Sequence, residues 1–144
     1  MAVRETKVFN INTSSLIVNS QPVTGLADGT SINVDFNDSY VETLDAHGTT
    51  TVTATNNYNA VATITLSMES PSNDLFSNIF NAGKLLGTVG VSFRLACAHS
   101  RDTVLSNFTY PTKLASIVQG NDGQSNRVWT FNLTNTTAHV GGLN

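Results

Sequence analysis

Hydrophobic and polar residues alternate along several short segments of this chain. The clearest alternation covers residues 60–69, where one side carries Ala60, Ala62, Ile64, Leu66 and Met68. A period of two places successive side chains on opposite faces of a strand, so this segment is predicted to be a strand with one buried face. Similar patterns predict further strands over residues 32–36, 89–97 and 126–134.

Weaker patterns predict the other strands. They cover residues 7–12, 16–19, 39–44, 49–55, 104–110 and 113–119. The segment 49–55 is almost entirely Thr, Val and Ala, which suits a strand with little apolar surface to bury. Turn signals separate the strands, at residues 13–15, 21–25, 45–48 and 121–123.

The alternation stops at Ser70, where a helix is predicted over about residues 72–82. Ser70 or Ser72 can cap its start, and Pro71 suits the first turn. Apolar residues then follow at helical spacing, and Gly83 is expected to end the helix. These patterns predict a single mainly β domain over residues 1–144, a sandwich or small barrel with one flanking helix.

The composition is poor in charge and rich in neutral polar residues. Charged residues make up 12% of the 144 residues, against about 25% in typical domains, while Thr and Asn number 20 and 17. Charged side chains on a sheet edge discourage pairing with another chain. A surface with few charges protects its sheet edges weakly and therefore tolerates contact with copies of itself. An ordinary β domain with a Thr-rich exposed face is the alternative. The net charge of −3 argues against binding of a phosphate backbone.

Membrane and metal chemistry find little support in the sequence. No apolar run is long enough to span a membrane, and the first residues lack the apolar core of a signal peptide. Cys97 is the single cysteine and falls on the apolar side of its strand, so a buried, inert thiol is expected. We expect no cofactor.

The sequence contains no HExxH, CxxC, glycine-rich phosphate-loop or EF-hand pattern. The histidines His47 and His99 lie near Asp45 and Asp102 in polar loops, and His139 lies near the C-terminus. These His–Asp pairs are better interpreted as turn residues than as part of an acid–base site, because such a site also needs a nucleophile and an orienting group. Scattered carboxylates could bind calcium at a loop, although solvated carboxylates are more common: Asp28, Asp35, Asp38 and Asp45. The chain is therefore not expected to be an enzyme.

Three sequence motifs occur in an order that resembles a known family. Residues 25–34 read GLADGTSINV, residues 62–73 contain ATITL followed by SPSN, and residues 127–131 read RVWTF. In this order they are similar to the tail tube proteins of contractile-tailed bacteriophages, over about residues 15–134. The resemblance implies two packed antiparallel sheets flanked by one helix.

The resemblance also implies a structural role in a virion. Members of that family form six-fold rings that stack into a hollow tube inside a sheath, and the tube conducts the genome during ejection without a cofactor. The implied partners are further copies of the chain, the tail sheath protein, and baseplate and tail-terminator proteins at the tube ends. Phage DNA would pass without specific binding, with no membrane anchoring. The implied location is the phage tail, assembled in the bacterial cytoplasm.

Two groups of residues are candidates for such a role. A hairpin over about residues 37–59 is expected to project and contact the next ring through its tip, formed by Asp45, Ala46, His47, Gly48, Thr49, Thr50 and Thr51. Carboxylates that would face the channel and repel phosphate are Asp28, Asp35, Glu42 and Asp45. Residues 135–144 are expected to be a flexible tail. The alternatives are a capsid decoration protein or a carbohydrate-binding β-sandwich.

Overall fold

The structure is a computed structural model that describes residues 14–27, 29, 31–87, 90–98, 100–119 and 125–142. Within these residues the chain forms ten strands and one helix. In chain order they are β1 (Ser14–Val18), β2 (Gln21–Pro22), β3 (Ile32–Phe36), β4 (Tyr40–Leu44), β5 (Thr50–Ala54), β6 (Ala60–Leu66), α1 (Ser72–Leu86), β7 (Val91–Cys97), β8 (Thr103–Pro111), β9 (Arg127–Thr134) and β10 (Thr137–His139).

The strands form two antiparallel sheets of unequal size. The larger sheet has the order β2-β1-β7-β8-β9-β6-β3, with β10 also paired to β8, and the smaller sheet is the β4–β5 hairpin. This arrangement confirms the predicted mainly β fold with antiparallel sheets and one helix. The larger sheet curls over its own core, because Val34 of β3 and Leu95 of β7 line one cavity of about 210 Å³ although three strands lie between β3 and β7 in the sheet.

The core lies on the concave side of the larger sheet. Along β6, every second residue from Ala60 to Leu66 is buried, as the alternation predicts. Strand β9 pairs with β6 over its whole length and adds three large buried side chains, Trp129, Phe131 and Leu133. Burial of such side chains contributes about 1.5–3 kcal/mol each, so the β6–β9 pair supplies much of the hydrophobic stabilisation.

Helix α1 covers this core and is longer than predicted. It ends at Leu86, and Gly87 adopts a left-handed conformation with φ of 68°. Gly83 does not end the helix but lies buried within it. At the start, Pro71 occupies the N-cap position without a side-chain cap, and the Ser70 hydroxyl accepts a hydrogen bond from the Ser72 N–H at 3.2 Å.

Two predicted boundaries near the N-terminus differ from the structure. The strand expected at residues 7–12 lies outside the described residues, and β1 begins at Ser14, within the segment expected to be a turn. The turn that follows β1 lies at Asn19 and Ser20, before the expected turn segment 21–25, and both residues have positive φ, of 53° and 62°. Two such residues favour a tight hairpin, so the chain reverses directly and the segment after it pairs with β1 as β2.

The strand predicted at residues 113–119 is absent from the described sheet. After Pro111 the chain leaves β8, and this segment is held by the Arg127 side chain, whose Nη1 donates to the Ser116 carbonyl oxygen at 3.1 Å. Ala115 packs against the core, but Leu114, Ile117 and Val118 are exposed, and Ile117 is 79% exposed. The segment has the composition of a strand, but none of the described strands pairs with it.

Part of the segment expected to be a flexible tail is instead held by the fold. Thr137–His139 forms β10 and pairs with β8, which supplies backbone hydrogen-bonding partners that the sequence pattern does not reveal. Beyond this strand, the Gly141 N–H donates to the Asp102 carboxylate at 2.9 Å. Residues 137–142 are therefore fixed across the turn between β7 and β8.

Candidate functional site

The β4–β5 hairpin stands apart from the main body of the protein. Its five residue pairs run from Tyr40–Ala54 to Leu44–Thr50, and every residue of both strands is exposed. Flanking hydrogen bonds join the Thr55 N–H to the Ser39 carbonyl oxygen at 2.9 Å and the Asp45 N–H to the Thr49 carbonyl oxygen at 3.0 Å. The hairpin is thus a regular two-stranded ribbon without a covering layer.

Both long edges of this ribbon carry backbone groups that pair with no other described strand. In an antiparallel ladder the hydrogen-bonded pairs alternate with pairs whose N–H and C=O groups point outward. Because residues 39 and 55 and residues 45 and 49 are bonded, the outward groups belong to residues 40, 42 and 44 of β4 and to residues 50, 52 and 54 of β5. Each strand can therefore accept another strand along its free edge.

The two faces of the ribbon differ in chemistry. One face carries Tyr40, Leu44 and Val52, which are 68%, 70% and 62% exposed, around the carboxylate of Glu42. The opposite face is rich in threonine, with Thr43 paired to Thr51. A soluble monomer rarely leaves several large apolar side chains uncovered on one surface, so the Tyr40 face has the character of an interface.

The hairpin tip is organised by one carboxylate. Asp45 Oδ1 accepts hydrogen bonds from the backbone N–H groups of His47 at 2.9 Å and Thr49 at 2.8 Å, and Gly48 supplies a positive φ of 82°. These bonds make Asp45 a turn-forming residue. All seven residues predicted to make the inter-ring contact, 45–51, are exposed at or beside this tip.

A polar network holds the base of the hairpin to the main sheet. The Ser39 hydroxyl donates to the Asn57 carbonyl oxygen at 3.2 Å, and the Asn37 N–H donates to the Asn59 carbonyl oxygen at 3.0 Å. Beside this base lies a cavity of about 280 Å³, lined in part by Phe36 of β3 and Val140 of the C-terminal segment. The projection is therefore anchored at its root by defined contacts.

Strand β3 provides a second open edge. Among the described strands it pairs with β6 alone, and the Thr65 N–H donates to the Ser31 carbonyl oxygen at 2.8 Å. This bond sets the ladder so that the backbone groups of residues 32, 34 and 36 point away from β6. The chain turns directly from β3 into the hairpin, so two unpaired strand edges are close in sequence.

The predicted channel carboxylates do not form one cluster. Asp28 lies outside the described residues, and Asp35 is exposed on β3, opposite Val61. Glu42 and Asp45 both belong to the hairpin region, but Glu42 lies on the apolar face and Asp45 closes the tip. Sequence spacing alone could not separate these positions, because it gives neither the hairpin register nor the turn hydrogen bonds.

The structure assembles no acid–base site from the described histidines and carboxylates. The Asp102 carboxylate accepts hydrogen bonds from the Ser100 hydroxyl at 2.8 Å and from the Gly141 N–H, so it fixes a loop. His99 lies outside the described residues, while His47 belongs to the hairpin tip and His139 to β10. Within the described ranges, no group of three or more His, Cys, Asp or Glu side chains could hold a metal ion.

Two further expectations concern Cys97 and membrane spans. The Cys97 side chain is buried, as its position on the apolar side of the strand predicted. Helix α1, the one helix of the described residues, is too short to cross a membrane.

One exposed apolar group was missed by the sequence patterns. A bulge shifts the pairing between β7 and β8, because Val91 pairs with Thr109 whereas Phe93 pairs with Ser106. The extra residue in β8 leaves Phe108 exposed on the convex face, beside Gly90, whose missing side chain makes room for its ring. Regular alternation cannot reveal a bulge, although a large aromatic residue out of phase is a signal for one.

Comparison with known proteins finds likeness in structure alone. No protein-family model matches the chain, and no curated protein matches it. One similar solved structure is the tube-terminating cap of the anti-feeding prophage, with a TM-score of 0.60 and 10% identity over 98% of this chain and 95% of that chain.

Two other similar structures come from an extracellular contractile injection system called PVC. The extended sheath–tube complex contains a chain with a TM-score of 0.61 and 10% identity, covering 92% of both chains. The extended sheath/tube terminator contains one with a TM-score of 0.62 and 11% identity, covering 96% of this chain and 100% of that chain. At such low identity these matches show that the fold is shared over almost the whole chain.

Proposed function

We propose that this protein is a structural subunit of a contractile phage tail or a related particle, and that it assembles with copies of itself into stacked rings forming the tail tube. The observation that carries the proposal is the uncovered β4–β5 hairpin, which combines an apolar face with two open strand edges. The shared fold with a chain of a sheath–tube complex supports the same role.

The geometry of self-assembly follows from the nature of these surfaces. An edge that pairs with a different edge of the next copy makes a head-to-tail contact, which closes as a ring or continues as a filament. Strand edges joined around a ring would leave no open edge in the ring, as in a barrel. In this proposal the β3 edge serves the ring, six copies form it, and the hairpin tip reaches the adjacent ring.

The proposed channel would repel rather than bind the genome. A ring of six copies carries a formal charge of about −18, so phosphate would pass without being held. Of the predicted channel carboxylates that the structure describes, we assign this role to Asp35, because it is exposed on β3 and lies outside the hairpin. Changing Asp35 to Lys should slow DNA passage; unchanged ejection would place Asp35 away from the channel.

A deletion within the hairpin tests the inter-ring role. Removing residues 46–51 shortens an exposed tip and leaves the buried core intact. The variant should fold normally and form rings, but it should not grow into tubes. Normal tubes formed by the deletion variant would contradict the role of the tip, and failure to form rings would assign the hairpin to the ring contact instead.

A tube terminator is the second candidate, because similar solved structures include a tube-terminating cap and a sheath/tube terminator. A terminator would form a single ring that binds the end of a tube and would not polymerise by itself. The tail sheath, baseplate and terminator proteins are proposed partners in either case. Ring formation without tube growth by the unaltered chain would favour the terminator.

A further inference from the structure

Acidic and basic residues occupy different parts of this chain. Between Lys7 and Lys84 there is no Lys or Arg and there are seven Asp or Glu residues, whereas the residues from Lys84 onward contain five Lys or Arg and two Asp. The hairpin belongs to the acidic part, and strands β7 and β8 belong to the basic part. The charges of residues 37–59 are all acidic, whereas the charged residue of strands β7 and β8 is Arg94. Opposite charges on these two elements favour contact between them in neighbouring copies.

The apolar face of the hairpin has a single charged residue near its centre. Glu42 lies between Tyr40 and Leu44 along β4 and pairs with Val52 of β5. Its carboxylate has no hydrogen-bonding or ion-pair partner among the described residues. Burying this face against an uncharged surface would therefore leave an unpaired carboxylate, which is strongly unfavourable.

The convex face of β1, β7 and β8 has the complementary arrangement. Arg94 pairs across the sheet with Ile17 of β1 and Leu105 of β8, so these three side chains form one row on that face. Leu105 is 44% exposed and Phe108, further along β8, is 49% exposed. Arg94 is exposed and likewise has no hydrogen-bonding or ion-pair partner within the part of the chain that the structure describes.

We propose that the Tyr40 face of the hairpin of one copy docks on the Arg94 face of a second copy, with Glu42 paired to Arg94. Each surface places one charge among exposed apolar side chains, and the two charges are opposite in sign. Docking would cover the apolar groups on both sides and give each charge a partner in a desolvated setting. This inference rests on the proposed self-assembly, and it assigns Glu42 to a subunit contact and not to the channel.

Charge reversal tests this pairing. Glu42→Arg alone and Arg94→Glu alone each bring like charges together, so each should raise the critical concentration for assembly by about tenfold or more. The double variant restores opposite charges and should assemble nearly as readily as the unaltered chain. A matched control combines Glu42→Arg with Lys113→Glu, which gives the same net charge and should not restore assembly. Sedimentation of assembled material measures the critical concentration.

The results separate this pairing from the proposed function. If the unaltered chain assembles and the single variants assemble equally well, or if the double variant is no better than the single variants, the Glu42–Arg94 contact is wrong while self-assembly stands. If the unaltered chain does not assemble at any concentration, self-assembly itself fails. Thermal unfolding followed by circular dichroism confirms that each variant is folded, as expected for exposed positions.

Cross-linking provides a second measurement that does not depend on charge. Copies carrying Val52→Cys are mixed with copies carrying Leu105→Cys, assembled, and treated with a short bis-maleimide reagent. Cross-linked dimers should form between the two variants. Thr53→Cys, on the opposite face of the hairpin, should give few dimers with Leu105→Cys. Equal cross-linking from Val52 and Thr53 would overturn the assigned face.

Discussion

The indole N–H of Trp129 donates a hydrogen bond to the side-chain oxygen of Asn73 at 3.0 Å. Asn73 lies in the first turn of α1, and its Nδ2 donates to the carbonyl oxygens of Ser67 and Ser70 at 3.0 and 3.1 Å. One amide therefore links strand β9, the chain after β6 and the start of the helix. Asn73 belongs to the SPSN motif and Trp129 to the RVWTF motif, so this contact joins two of the motifs on which the sequence resemblance rests.

We expect Asn73→Ala to lower the free energy of unfolding by about 2–3 kcal/mol. The substitution leaves the nearly buried indole N–H and two carbonyl oxygens without their partner. Urea unfolding measures the loss. Asn78→Ala, at an exposed position of the same helix, is the control and should change stability by less than about 0.5 kcal/mol. Equal effects of the two substitutions would contradict the role of the Asn73 amide.

Phe76 connects the helix to the sheet through aromatic packing. Its ring lies edge-on to Trp129 and Phe131, with centroid distances of 5.5 and 4.8 Å. Phe76→Ala should cost about 3–5 kcal/mol of stability, because it opens a cavity in the centre of the core. Leu85→Ala is the matched helix control, since Leu85 is 85% exposed. Differential scanning calorimetry measures the stability of both variants. A small loss of stability for Phe76→Ala would show that the helix does not stabilise the core as described.

Thr109 is completely buried, and its hydroxyl has no hydrogen-bonding partner among the residues that the structure describes. Thr109→Val replaces that hydroxyl by a methyl group, so we expect stability to rise by about 1 kcal/mol. Thr134→Val is the contrasting substitution. The Thr134 hydroxyl donates to the Phe108 carbonyl oxygen at 2.6 Å, so its loss should lower stability by about 1 kcal/mol. Changes of the same sign in the two melting temperatures would refute this distinction.

The central strands and the start of the helix could be predicted because local pattern and tertiary environment agree there. In β6 and β9 every second residue faces the core, so alternation marks both the strand and its buried side. The Ser-Pro-Ser-Asn segment marks the start of α1, and Asp74 and Lys84 occupy the ends that suit their charges.

Other features depend on partners that a single segment does not reveal. Residues 113–119 have strand-like composition, but no strand lies beside them in the described sheet. Residues 137–139 have a less distinctive composition and nevertheless pair with β8. The candidate site likewise depends on strand pairing. The hairpin could be predicted from its turn residues, but its apolar face follows from the register that pairs Glu42 with Val52.

The two faces of the hairpin should contribute differently to assembly. Replacing Leu44 and Val52 together by Ser removes apolar surface from the proposed interface, and it should weaken assembly at least tenfold without lowering the melting temperature, since both residues are exposed. The matched control replaces Thr43 and Thr51 of the opposite face by Ser. Sedimentation compares the two variants; equal weakening would show that the apolar face is not the one that is buried.

Negative-stain electron microscopy of the purified, unaltered chain over a range of concentrations tests the central claim most directly. We expect rings at low concentration and hollow, open-ended tubes of uniform diameter as the concentration rises. A monodisperse monomer that persists at the highest concentration would contradict the claim that the open strand edges and the uncovered hairpin are assembly surfaces.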